Sequence, residues 1–288
     1  MPSIKEYDNK LKSLKNTSKL TKTMKMVSAS KLRRAQDLQR ESSEYAALCN
    51  KFIARLAASV ESADHPLLQA REETDKVLLL VYTSDKGLCA GFNNNLIRMV
   101  ERWITRHRST YDQIDLSFCG RRGFNHFRSR ESVCKNYEDV TKAPNFADAS
   151  RINDDICRAY MDGEYDAVYL VYNEFKSALS QTPSIQKILP IESREFMQGA
   201  DPIPNDYIFE PGKQELLNHM LPKTIGFKVF YALLENSAGE HGARMTAMDN
   251  ATSNASNLID KYTLLRNRAR QAAITTELTE IVAGAEAL

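Results

Sequence analysis

The chain has 288 residues, 42% of them hydrophobic and 26% charged, with a formal net charge of +2. That composition is globular and excludes a disordered chain, and the near-neutral charge argues against a dedicated nucleic-acid binder. Five cysteines, at 49, 89, 119, 134 and 157, form no CxxC pair, so a reducing compartment is expected rather than a disulfide framework or a zinc site. No uncharged run reaches the roughly 18 residues needed to cross a bilayer. MPSIKEYDNK has neither the apolar core of a signal peptide nor the make-up of a transit peptide. The chain is expected to be soluble and cytoplasmic, reaching a membrane only through partners.

From Ser3 to His65 there is neither Gly nor Pro, and a continuous helix over that stretch would run roughly 95 Å. Ile4, Tyr7, Leu11 and Leu14 follow a 3-4-3 spacing; Leu38, Tyr45 and Phe52 repeat every seven, with Leu48 and Leu56 in a companion row. Between them the apolar residues thin to Leu20, Met24, Met26, Val27 and Leu32. Residues 1–34 carry ten Lys or Arg against Glu6 and Asp8, and Lys12, Lys15, Lys19, Lys22 and Lys25 form one helical stripe. Two readings of the stripe stay open: a solvated coiled-coil face, or an electrostatic contact with an acidic partner or with phosphate.

Pro66 should end this helix, after which the texture changes. Lys76–Tyr82 reads as a buried strand, followed by the loop SDKGLCAGFN and a helix from about Asn94 to Arg108. Further strands fit Ile114–Cys119 and Ala167–Phe175, with a helix near Ala147–Tyr160 before the latter. Ile185–Ile191, between Pro183 and Pro190, reads as an edge strand. This alternation predicts a parallel or mixed α/β sheet with helices on its faces. Residues 198–213 read as a linker. Helix resumes near Lys213, weakened by Pro222, Gly226, Gly239 and Gly242, with capping-box spacing at Ser237–Glu240 marking a restart.

The last stretch, Ala243–Ala283, again lacks Gly and Pro for 41 residues, roughly 60 Å as a helix. Met245, Met248, Thr252, Ala255, Ile259 and Tyr262 keep a 3–4 alternation, and alanines at 243, 247, 251 and 255 stack one turn apart. Rich in Ser, Thr and Asn, it would be marginal alone. The simplest arrangement pairs the two terminal helices as a two-stranded, antiparallel coiled coil.

Chemistry is sparse. Gly87-x-x-x-Gly91 sits where a phosphate would bind, between strand and helix, but matches neither GxGxxG nor GxxxxGK[ST]. A tight turn is the better reading. The five histidines are scattered, so no metal site is expected, and Cys89 reads more readily as a buried thiol than as a nucleophile.

With two terminal helices around an α/β domain, the motifs resolve. KNTSKLTKTMKMVSASKLRRAQ (15–36), SDKGLCAGFNNNL (84–96), YNEFKSALSQTPSIQKILPI (172–191), YIFEP (207–211) and the C-terminal RMTAMDNATSNASNLIDKYTLLRNRARQAAITTELTEIVAGAEAL (244–288) together resemble the gamma subunit of F-type ATP synthases. They cover roughly half the chain; Lys86 and Ala90 depart mildly from the family's usual Arg and Gly. The resemblance implies a shaft helix at 1–66, an α/β foot at 67–211, Rossmann-like in build, and a second shaft helix at 212–288. It implies a non-catalytic rotor, one copy per complex, turning inside a ring of three alpha and three beta subunits and coupling proton flow to ATP synthesis or hydrolysis. By the same resemblance the foot contacts the epsilon subunit and the membrane c-ring. Lys22, Met24, Lys25, Arg268, Arg270 and Gln271 meet the ring, and Ser84, Asp85, Gly87 and Gly91 form a foot-domain loop. The tail ITTELTEIVAGAEAL seats in an apolar collar. No cofactor, metal or thiol switch is expected, and the location expected is the cytoplasmic face of a bacterial inner membrane. The alternatives are a nucleotide-dependent enzyme using the Gly87–Gly91 loop and a basic arm binding nucleic acid.

Overall fold

The computed structural model describes residues 3–59, 65–71, 73–191 and 209–286. In chain order the elements are helix α1 (Ile4–Ala58), a 3-10 turn (Pro66–Leu68), β1 (Lys76–Tyr82), α2 (Phe92–His107), β2 (Gln113–Cys119), α3 (Arg121–Phe127), β3 (Val133–Tyr137), α4 (Phe146–Met161), β4 (Ala167–Phe175), β5 (Gln181–Leu189) and α5 (Lys213–Glu286). Packing divides the chain into two compact units, Met1–Ala29 with Arg244–Leu288, and Ser30–Ala243.

The larger unit is built on a five-stranded sheet in the order β3-β2-β1-β4-β5. The first four strands are parallel and β5 returns antiparallel to β4. β1 is central and covered on both faces, so six of its seven residues are buried and its sequence is a continuous apolar run. One face carries α2 and α3, whose Leu96, Ile97, Val100, Ile104 and Phe127 pack on Leu79, Val81, Leu116 and Phe118. The other carries α4, the end of α1 and the start of α5: Ile53 and Leu56, Ile152 and Ile156, and Leu217, Leu221, Ile225 and Val229 enclose Leu78, Leu80 and Tyr82. The terminal helices thus complete the core of this unit with their inner turns, which is why the packing boundaries fall at residues 29 and 243.

β5 begins before Pro183, which pairs with Asn173 on the sheet's edge, where a missing N–H costs no ladder bond. The chain pattern does not announce β3 and α3. β3, VCKNY, is a largely exposed edge strand without an apolar run, and α3 has seven residues including a Gly. Residues 198–208 of the linker expected at 198–213, and residues 60–64, where the first helix is expected to continue, lie outside the described residues.

α5 runs unbroken through Pro222, Gly226, Gly239 and Gly242, contrary to the restart expected near Ser237. Close packing explains the glycines. A Cβ at Gly239 would lie 2.9 Å from a Phe92 ring carbon, and one at Gly242 would lie 3.1 Å from the Ala178 backbone. Gly here permits approach and does not end the helix. Ser237 and Glu240 are buried, so they do not cap a helix start in water.

Along α1 the covered positions step 3-4-3-4 without a break: Ile4, Tyr7, Leu11, Leu14, Ser18, Thr21, Lys25 and Ser28, then Leu32, Ala35, Gln39, Ser42, Ala46, Cys49, Ile53 and Leu56. This is a coiled-coil period. In the smaller unit the six seam positions expected on α5 are all buried or half-buried. The pairing is antiparallel: Thr21 meets Thr252 hydroxyl to hydroxyl at 2.7 Å, and Lys25 Nζ meets Asp249 Oδ1 at 2.6 Å. Toward the N-terminus, Asp8 faces Arg266 Nη1 at 3.5 Å and Tyr7 faces Tyr262 with ring centroids 6.3 Å apart. Both members of the Lys25–Asp249 pair are about half exposed, so it contributes about 0–1 kcal/mol. Each well-buried apolar side chain, such as Leu11 or Met248, contributes about 1.5–3 kcal/mol. Packing holds this pair of helices; charge aligns it.

Between β2 and α3 the chain turns at Gly120, with φ of 110°, and a Cβ there would lie 2.1 Å from the Thr83 carbonyl oxygen. Thr83 Oγ1 donates to the Gly120 carbonyl at 3.1 Å and accepts from the Gly123 N–H at 2.9 Å. Gly120→Ala should therefore cost about 3 kcal/mol or more in urea unfolding, whereas Gly87→Ala, with nothing within 4 Å of its Cβ, should stay within about 0.5 kcal/mol. Equal costs at the two positions would contradict the close approach.

Candidate partner-binding surfaces

The loop after β1 is closed on itself. The Ser84 N–H donates to Asn93 Oδ1 at 2.9 Å, and Asn93 Nδ2 donates to Ser84 Oγ at 2.7 Å and Cys89 Sγ at 3.2 Å. Asp85 Oδ1 accepts the Arg121 N–H at 3.1 Å, tying the loop to α3. Leu88 and Ala90 hold positive φ of 64° and 49°, a conformation uncommon for residues other than Gly, and Gly91 caps α2 with no side-chain bond. Cys89 and Phe92 pack against Ala243 of α5. The crevice at the carboxyl ends of the strands, where an open α/β sheet takes a nucleotide, is thus occupied by the chain's own last helix. Ser84, Asp85, Gly87 and Gly91 build a structural turn, as the spacing suggested.

Among the described residues no group of three or more His, Cys, Asp or Glu side chains could hold a metal ion. Three of the five cysteine thiols are held in the protonated form. Burial pushes Cys119 well above its ordinary value, Cys157 up to about 12, and Cys134, at 3.2 Å from the Tyr165 hydroxyl, upward as well.

The shaft residues fall into two groups. Lys22 is exposed, Met24 half-buried, and Lys25 is engaged with Asp249 on the partner helix. Arg268, Arg270 and Gln271 are all exposed on α5. Asp249 and Arg268 are separated by roughly 28 Å of helix rise, so the two groups do not come together in one site. Leu20, Met26 and Val27 stand exposed among the lysines, and Ile274, Leu278, Ile281 and Val282 stand exposed beyond Gln271.

One surface escaped the sequence reading. Tyr45 and Phe52, taken with Leu48 as part of the coiled-coil row, point outward with 61%, 39% and 69% of their surface exposed for Tyr45, Phe52 and Leu48. The seam runs one residue away, through Ser42, Ala46, Cys49 and Ile53, so the more hydrophobic row was mistaken for the buried one. Beside it lies a groove of about 490 Å³ lined by Leu38, Tyr45, Phe146, Phe227 and Phe230, with Glu41 and Lys223 among its polar residues. Tyr45 meets Phe227 edge-on at 5.4 Å, and Phe227 meets Phe146 at 5.3 Å.

Close to this patch, Gln39 Nε2 donates to the Tyr231 hydroxyl at 3.1 Å and to Glu235 Oε1 at 3.3 Å, joining α1 to α5. Burial, with the Glu174 charge adding to it, raises the Glu235 carboxyl to about 7.

A sequence model of the ATP synthase family (ATP-synt) matches residues 3–288. The ATP synthase gamma chain of Trichlorobacter lovleyi is 46% identical over 288 residues, covering 100% of this chain and 99% of the relative. That of Anaeromyxobacter sp. strain K is 43% identical over 292 residues, covering both chains completely. The chain belongs to the ATP synthase gamma-chain family. A chain from the central stalk and c-ring of the Tetrahymena thermophila mitochondrial ATP synthase matches with a TM-score of 0.58 and 25% identity, over 81% of this chain and 99% of that one. A chain from the Euglena gracilis mitochondrial ATP synthase rotor shares the fold, with a TM-score of 0.67 and 20% identity over 94% and 98%. The chain is accordingly a non-catalytic central-stalk subunit, and catalysis takes place on the beta subunits. It works within a membrane-associated complex, and no described helix is long and apolar enough to cross a membrane.

The Glu235 carboxyl yields a signed expectation. Its folded value lies above the unfolded 4.5, so the native state keeps a proton that the unfolded chain has lost between about pH 4.5 and 7. Stability from this group is therefore complete below pH 4.5 and falls as pH rises through 7. Glu235→Gln should remove that slope. The variant's advantage over the parent in urea unfolding should grow from near zero at pH 4.5 to about 1 kcal/mol at pH 8, discounted for screening by nearby water. His65, whose value burial lowers, is common to both proteins and cancels. A pH-independent difference would contradict the assignment.

Proposed function

We propose that the paired terminal helices are the rotating shaft inside a ring of three alpha and three beta subunits, with the α/β region as the foot on the epsilon subunit and the membrane c-ring. In this reading residues 1–66 and 212–288 serve the shaft and 67–211 the foot. One copy turns per complex, at the cytoplasmic face of a bacterial inner membrane. Proton flow through the membrane ring drives the rotation, and the beta subunits make or hydrolyse ATP in response.

The observation that carries this reading is the asymmetry of the helix pair. Its seam is continuous, but its outer surface differs on every side: a lysine stripe with exposed Leu20, Met26 and Val27 on α1, and exposed Arg268, Arg270 and Gln271 on α5. A ring of like subunits around such an axle meets a different surface in each direction, so each orientation biases its neighbours differently. Lys22 and Met24 form one contact with the ring. Lys25 serves mainly to align the two helices. Arg268, Arg270 and Gln271 form the second contact, where the planar guanidinium forks make directional bonds to carboxylates and carbonyls. The exposed Ile274, Leu278, Ile281 and Val282 fit an apolar collar.

The test is assembly and turnover. The chain coexpressed with alpha and beta subunits should co-purify as an ATPase, and alone it should hydrolyse nothing. Arg268→Ala/Arg270→Ala/Gln271→Ala should lower ATPase turnover of the assembled complex about tenfold or more, given about 1.5–3 kcal/mol for each charge-assisted bond lost. The same variant should leave the unfolding of the isolated chain unchanged, because all three side chains are exposed. Full turnover in the triple variant would remove these residues from the contact.

A further inference from the structure

The outer face of α2 and α3 is strongly basic, and the shaft-and-foot reading gives it no task. Between Arg98 and Arg130 the chain carries eight arginines and no lysine, and all eight are exposed. Three have carboxylate partners: Arg108 on Glu131 at 2.7 Å, Arg121 on Asp139 at 3.6 Å, and Arg130 on Glu101 at 3.9 Å. Glu101 is shared with His126 at 2.8 Å, which ties α2 to α3. The remaining five, Arg98, Arg102, Arg106, Arg122 and Arg128, have no described carboxylate within 4.0 Å; Arg102 Nε instead donates to the Arg98 carbonyl.

Arg98, Arg102 and Arg106 stand one turn apart, a ladder about 12 Å long with about 6 Å between neighbours. Like charges at this spacing destabilise the helix that bears them. A helix dipole accounts for Arg106, in the last turn, but not for Arg98 or Arg102. Solubility alone is met better by mixed signs. The face also carries no exposed large hydrophobic side chain between residues 89 and 145. Membrane-surface binding needs apolar side chains to insert, and single-stranded nucleic acid needs exposed rings to stack on. The arginine-only composition favours oxyanions that a guanidinium grips with two parallel bonds where an ammonium cannot, and the chain's net charge of +2 argues against a nucleic-acid backbone and for carboxylates.

We propose that this face docks an acidic helix of a protein partner, with Arg98, Arg102 and Arg106 each taking one carboxylate from residues one turn apart on that helix. The partner's Glu or Asp side chains relieve the repulsion along the ladder, and Arg122 and Arg128 of α3 extend the basic field beside it.

Trp103 supplies the readout. It is the chain's single tryptophan, adjoins Arg102, and is held by stacking on His107 at 4.3 Å and by Tyr169 at 5.3 Å. The full-length chain is titrated with a soluble helical peptide, free of aromatic residues, bearing Glu at every fourth position, and Trp103 fluorescence is followed. A saturable change is expected, weakening steeply with salt and absent with the Gln version of the peptide. Arg98→Gln/Arg102→Gln/Arg106→Gln should weaken binding at least tenfold, and the matching Lys triple several-fold. Lys51→Gln/Lys228→Gln, on the helices that cover the opposite face of the sheet, should leave it unchanged. The Gln triple should unfold at the parent's midpoint or above it, since it removes repulsion. Undiminished peptide binding by the Gln triple overturns the proposal. So does tighter binding at this ladder by phosphatidylglycerol vesicles or duplex RNA than by the peptide. These outcomes are independent of the Arg268–Gln271 test, because neither set of substitutions touches the other's residues.

Discussion

Everything in this chain depends on one seam, the 3–4 stripe along which α1 and α5 run antiparallel. It combines small and polar side chains, Ser18, Thr21, Ser28, Thr252 and Ala255, with larger apolar ones, Ile4, Tyr7, Leu11, Leu14, Met245, Met248, Ile259 and Tyr262. Small residues keep the two helices close and slender, but they bury little apolar surface each. Hydroxyl pairs such as Thr21 with Thr252 satisfy each other and fix register without filling volume. The same stripe continues from Leu32 to Leu56, where larger apolar residues at its end enter the core of the α/β unit. One periodic pattern therefore serves two packing problems: the helix pair of the smaller unit and the three-layer core of the larger one.

The strand order and the loop after β1 resemble a fold that takes a nucleotide above its carboxyl edge, but α5 fills the place. Gly239 and Gly242 let it come against Phe92 and Ala178, and the Tyr82 hydroxyl donates to the Val229 carbonyl at 3.4 Å. The helix that pairs with α1 is also the plug of the crevice. A sheet that would otherwise bind a ligand becomes a rigid mount, consistent with a family whose chemistry resides on other subunits.

The long elements were legible because they obey a single period over many residues. The two terminal helices, β1 and β4 follow from apolar spacing and from where Gly and Pro are absent. The antiparallel pairing follows from two stripes that each need a partner. Failures came where tertiary contact overrides local chemistry. Gly226, Gly239 and Pro222 read as breaks because their packing neighbours, Asn153 and Phe92 among them, are remote in sequence. Tyr45 and Phe52 read as seam because hydrophobicity is equated with burial, whereas the positions beside them on the seam, Ser42, Ala46 and Cys49, are small. β3 left no signal because an exposed edge strand needs no apolar run. The function lay within reach only through the resemblance of 15–36 and 244–288 to a known family, since neither stretch contains chemistry of its own. The arginine ladder on α2 shows up only once the fold places Glu101 and Glu131 on other partners.

The central claim is that α1 and α5 turn as one body. Thr21 and Thr252 offer the most direct test, since their hydroxyls lie 2.7 Å apart. Thr21→Cys/Thr252→Cys in the complex with alpha and beta subunits should oxidise to a disulfide between the helices. ATPase turnover should be the same before and after oxidation, with the parent chain as control for its own five cysteines. Failure of the pair to cross-link, or a turnover that collapses on oxidation and returns on reduction, would mean that the two helices must slide or separate, and would contradict the account.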